Sequence, residues 1–160
     1  MNRINDLLPA AMTELKNSGL IFTKENTSCI LKEYDGYVAS FAPSVITAGL
    51  KATLSFYTDR HKIKDVKDYA PDFTKKAVEP RRVHVLNILI NIYQIKYGRL
   101  AGNDLLTIGL DTNDNDERQL RNDLIDCAIA LKLVMRNFKQ EESAPKPPKP
   151  APSTAQTQEV

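Results

Sequence analysis

Two histidines, two cysteines and one acidic run are the groups in this 160-residue chain whose types could do chemistry. His61 and His84 lie far apart in sequence, with no His-x-x-x-His or carboxylate-linked spacing. Each reads as a surface or packing residue rather than a ligand or general base. Cys29 and Cys127 have no metal-ligand spacing and read as reduced, partly buried thiols, although a disulfide between them stays open. Asp111-Thr112-Asn113-Asp114-Asn115-Asp116-Glu117 looks at first like the start of a calcium loop. Its sixth position, where the turn needs Gly, is Asp116, and its twelfth, where a bidentate Glu closes the site, is Asn122. An acidic lead-in to a helix, with carboxylates near the positive helix end, explains the run better. The chain has no phosphate-cradling glycine loop, no Gly-x-Ser-x-Gly and no Cys-x-x-Cys, and no carboxylate stands in an apolar frame. No catalytic residue, metal ligand or cofactor is therefore expected. A binding or scaffolding protein is favoured over an enzyme, and a small hydrolase or nuclease is the weakest reading.

Positive charge is concentrated in two places. One cluster comprises Lys51, Arg60, His61, Lys62, Lys64, Lys67, Lys75, Lys76, Arg81 and Arg82. The other comprises Arg118, Arg121, Lys132, Arg136 and Lys139, which at 100° per helical residue share a sector of about 60°. Net charge is only +2, so no whole-molecule field draws the chain to nucleic acid; any such binding must be local. Together the clusters could form a track for a phosphate backbone, with Tyr57, Tyr69 and Phe73 near enough to the first to stack on bases. The plainer alternative is solvated surface charge.

The elements that must carry these residues are helical. Hydrophobic content of 42% and charged content of 26% are ordinary for one globular domain. No signal-peptide pattern and no run of about 18 apolar residues appears, so a soluble cytoplasmic protein without membrane contact is expected. Ile4, Leu7, Leu8, Ala11, Met12 and Leu15 define a first helix over residues 3–18, stopped at Gly19. Residues 20–35 are irregular: Cys29-Ile30-Leu31 could begin a short helix or anchor a loop, and Asp35-Gly36 signals a turn. Residues 36–57, with Lys51 as the only ionised side chain, predict a central helical hairpin with a break or close contact at Gly49. Residues 59–79 read as a charged connection, 82–97 as a buried helix stopped by Gly98, 103–108 as a short helical turn, and 116–139 as a final amphipathic helix. Ile125 and Ile129 border its basic sector and suggest a second contact surface. The expectation is an all-α compact bundle of about five to seven helices over residues 1–140. The Pro/Ala/Lys-rich tail over 141–160 is expected to be disordered.

Gly36-Tyr37-Val38-Ala39-Ser40-Phe41, then Ile46-Thr47-Ala48-Gly49-Leu50 and Thr53-Leu54-Ser55-Phe56-Tyr57, resembles the small subunit of the CRISPR type III-B Cmr complex, the fifth Cmr protein family. The first helix from Arg3 to Leu15, with its Leu8-Pro9-Ala10-Ala11 step, and the closing helix from Leu120 to Phe138 are also similar. The resemblance covers most of residues 1–140 in order, and the central segment is its distinctive part. It implies a non-catalytic, minor-filament subunit for antiviral defence. Such a subunit stacks with copies of itself along crRNA-binding backbone subunits, meets a large polymerase-like subunit, and helps hold target RNA against the guide crRNA. On that reading Lys51, Arg60, Arg82, Arg118, Arg121, Lys132 and Arg136 are the candidate RNA contacts. Tyr37, Phe41, Ile125 and Ile129 are the candidate subunit contacts. The alternative is a free-standing helical adaptor that binds protein alone.

Overall fold

Asn2 opens the first helix by accepting the Ile4 amide on its side-chain oxygen at 3.2 Å, satisfying one of the donors that every helix start leaves bare. The computed structural model describes residues 2–58, 82–98 and 114–142, and in them α1 runs Arg3–Asn17. It buries Leu7, Ala11 and Leu15, the face expected from their spacing. The Ser18 hydroxyl donates to the Leu15 carbonyl at 2.6 Å and accepts the Leu20 amide at 3.1 Å, and Gly19 follows at φ 78°, so the chain turns away there.

The next residues depart from expectation. β1 (Phe22–Lys24) and β2 (Thr27–Leu31) form an antiparallel hairpin pairing Phe22 with Cys29 and Lys24 with Thr27. Its two-residue turn, Glu25 and Asn26, holds φ at 52° and 62°, the doubly left-handed conformation that matches strand twist. Cys29-Ile30-Leu31 is thus neither helix nor loop but a buried strand end.

Helix α2 (Lys32–Ala48) follows directly and contains Asp35-Gly36, so that dipeptide makes no turn. Tyr34, Val38, Phe41 and Val45 are buried at four- and three-residue steps. Gly49 then adopts φ 91° and ψ 163°, a conformation nearly restricted to glycine, and α3 (Leu50–Tyr57) folds back on α2. The expected helical hairpin is present. Tyr57 packs edge-on to Phe41, with ring centroids 5.2 Å apart.

Helix α4 (Arg82–Tyr97) buries Val83, His84, Val85, Leu86, Ile88, Leu89, Ile90 and Ile92, so it is covered around most of its girth. Gly98, at φ 92°, closes it by donating its backbone N–H to the Gln94 carbonyl at 3.0 Å. The last helix, α5 (Asp114–Met135), packs against α1, α2 and α4 through Leu120, Leu124, Cys127, Ala128, Leu131, Val134 and Met135. It ends four residues before Lys139. Asn137 and Phe138 turn the chain back, and Lys139–Glu141 forms β3, parallel to β2. The strand order is β1-β2-β3, and Glu141, which sequence assigns to the tail, pairs opposite Leu31.

The fold is therefore a helical bundle, with five helices among the described residues and one small sheet at its side. One apolar core joins all five helices and β2. Each fully buried Leu or Ile in it contributes about 1.5–3 kcal/mol of transfer free energy. The connection over 59–79, the short turn over 103–108 and the tail from 143 onward lie outside the described residues. Among the described residues, no helix is long and apolar enough to cross a membrane.

Candidate nucleic-acid interface

The amphipathic pattern of α5 fixes which side chains face outward. Arg121, Lys132, Ile125, Arg118, Arg136 and Ile129 fall within about 80° of arc on the flank beside its buried stripe. Arg118, Arg121 and Arg136 are exposed, and among the described residues no carboxylate pairs with them. Ile129 and its neighbour Leu133 are exposed, whereas Ile125 is half-buried against the core. Lys132 is not free: its Nζ lies 2.5 Å from Asp35 on α2. Lys51, from α3, reaches the same edge near its start and sits 3.7 Å from Glu117. Lys139 leaves the stripe altogether, because β3 places it 3.2 Å from Glu141. That contact holds the lysine above its usual range, and together with Lys24 it holds the Glu141 carboxyl below its own.

Arg82 stands elsewhere. It is the first residue of α4, and its guanidinium carbon lies 4.7 Å from the Tyr37 ring centroid and 4.6 Å from that of Phe56. Tyr37 and Asp35 project from α2 about 160° apart, so the Arg82 cluster and the Lys132 pair occupy opposite flanks of that helix. Among the described residues, the positive side chains thus fall at two separate places. Arg60 and the remaining lysines of the first cluster lie outside the described residues, as do Tyr69 and Phe73.

Beneath Arg82 the polar groups are closely paired. The Tyr57 hydroxyl donates to the Tyr37 carbonyl at 2.5 Å and lies 2.7 Å from Ser40 Oγ. Burial pushes the Tyr57 phenol above its usual range, against the opposing pull of Ser40 and the Arg82 charge. Tyr57 is fully buried and cannot stack on a base; its neighbour Phe56, 62% exposed, is the ring that faces out. Phe41 is also fully buried against Tyr57, which removes it from the subunit contacts, while Tyr37 stays half-exposed. His84 is the packing residue expected, buried with Nδ1 2.8 Å from the Tyr34 hydroxyl.

One buried carboxylate runs against expectation. Asp123 is 2% exposed and accepts from Arg3 and from Gln119 Nε2, the latter at 2.9 Å, while Arg3 also reaches Asp126 at 3.5 Å. These bonds tie the start of α1 to the middle of α5. Nearby, burial pushes the Cys127 thiol up to about 12, with the Asp123 and Asp126 charges adding to it, and raises the Tyr93 phenol. Both cysteines are buried free thiols. Among the described residues, no group of three or more His, Cys, Asp or Glu side chains is placed to hold a metal ion.

Comparison with protein-family models, curated proteins and solved structures finds no match to this chain.

Proposed function

We propose that this chain is a non-catalytic small subunit of a type III-B CRISPR RNA-guided interference complex in the cytoplasm. It packs beside crRNA-binding backbone subunits, a large polymerase-like subunit and copies of itself, and contacts the RNA backbone. The observation that carries this reading is the outer edge of α5. There Arg118, Arg121 and Arg136, unpaired with any carboxylate among the described residues, alternate with half-buried Ile125 and exposed Ile129. Cations suit phosphates, and apolar side chains between them suit a protein neighbour. The resemblance of residues 36–57 supplies the family, and the helical fold agrees with it.

Phosphate neutralisation has a distinctive signature in salt. Titration of single-stranded RNA across a range of salt concentrations should give a log–log slope that is shallower by about 0.7 for each phosphate no longer neutralised in Arg118→Glu, Arg121→Glu or Arg136→Glu. The weakening should be nearly equal across RNA sequences. An unchanged slope in all three variants would count against the RNA role. It would favour the adaptor reading, to which the Lys51–Glu117 and Lys132–Asp35 pairs and the exposed Ile46 already lend weight.

A further inference from the structure

We infer that the Tyr37–Arg82–Phe56 cluster is a stacking platform for one unpaired base of single-stranded RNA, with the adjoining phosphate held at the edge of the Arg82 guanidinium. The inference rests on the RNA-binding reading and adds to it a second site, remote from α5, with a different physical basis.

An exposed phenylalanine carries an unfavourable apolar surface, yet the Phe56 ring is held in place. Arg82 lies over one face at 4.6 Å from the centroid, and Tyr57 meets the ring at 72° with centroids 6.0 Å apart. With those two neighbours in place, Phe56 still keeps 62% exposure, so much of its side chain is accessible. Tyr57 is in turn fixed by its bonds to the Tyr37 carbonyl and Ser40, so the ring beside Phe56 is rigid. Exposed aromatic surface beside a rigid neighbour is what a nucleobase needs, because every base has a π-face and stacking tolerates any sequence.

The charge completes the match. The Arg82 guanidinium sits over the Tyr37 and Phe56 rings, and among the described residues no carboxylate forms an ion pair with it. A guanidinium used in this way still offers its planar donors to a phosphate. It also stands at the positive end of the 16-residue helix α4, which favours an anion there. A base and the phosphate beside it would satisfy both halves of the cluster at once.

The test uses the full chain and two probes, an oligouridine and an abasic oligoribonucleotide of equal length. Phe56→Leu should weaken oligouridine binding about tenfold while leaving the abasic oligonucleotide unaffected, and Phe56→Trp should restore the affinity. Arg82→Gln should weaken both probes. Matched thermal unfolding curves for the wild-type chain and the Phe56 variants would show that folding is not the cause. Equal weakening of both probes in Phe56→Leu, or none, would overturn the platform. If salt-dependent binding through the α5 arginines persists in that case, the RNA reading survives without it. No binding of either probe by the wild-type chain would overturn both.

Discussion

Cys127 shows how one residue reports on its surroundings. Burial, helped by the Asp123 and Asp126 charges, raises its thiol from 9.0 to about 12. Below pH 9 the thiol is protonated in folded and unfolded chains alike, so its contribution to stability is complete there. Above pH 9 the unfolded chain ionises first, and that contribution is lost progressively as pH rises toward 12. Tyr57 and Tyr93, also raised by burial, act in the same direction. The denaturation midpoint should therefore fall between pH 9 and 12, with Cys127→Ser showing a shallower fall. At pH 8 Cys127 should resist alkylation until the chain unfolds, because the thiolate is the reactive form. Rapid native-state labelling at that position would refute its burial. Sequence placed this thiol correctly on the core stripe of the last helix. It could not show that Asp123, four residues earlier, is buried too, because the charge is made tolerable by Arg3 from the far end of the chain.

At the scale of elements, Gly49 divides one long apolar stretch into two helices. Its φ of 91° with ψ of 163° belongs to a region that L-residues with a side chain rarely occupy, and an added Cβ would meet no atom within 4 Å. Any destabilisation in Gly49→Ala therefore comes from backbone strain, about 1–3 kcal/mol, and not from a clash. Chemical denaturation should show the lower midpoint with an unchanged denaturant slope. Equal stability would mean that the hairpin break needs no glycine. The long helices were legible because their apolar residues repeat at helical spacing over four turns or more. The small sheet was not. Thr23 to Ser28 is polar and short, its turn lacks glycine, and Lys139-Gln140-Glu141 finds its partner more than a hundred residues away. Asp35-Gly36 misled for the opposite reason: a strong local turn signal gave way to the burial of Tyr34 and Val38 on either side.

At the scale of the whole molecule, a net charge of +2 conceals an uneven surface. Of the seven residues expected to touch RNA, Arg118, Arg121 and Arg136 share one exposed edge with Lys132, while Lys51 and Lys132 are drawn into pairs with acids. Arg82 joins two rings from other helices instead. Helical periodicity could reveal the α5 edge, since all its members lie on one element. It could not reveal the Arg82 cluster, whose partners are 45 and 26 positions away in sequence, counted from Tyr37 and Phe56. A net charge near neutral, with positive side chains gathered locally among the described residues, fits a subunit that meets RNA together with neighbouring proteins better than one that captures RNA alone. The decisive measurement is affinity capture of the tagged full chain from its native cell at low salt, with the eluted proteins and RNA identified. The account predicts backbone and polymerase-like CRISPR subunits together with short guide RNAs. Recovery of the chain alone, without RNA, would contradict it.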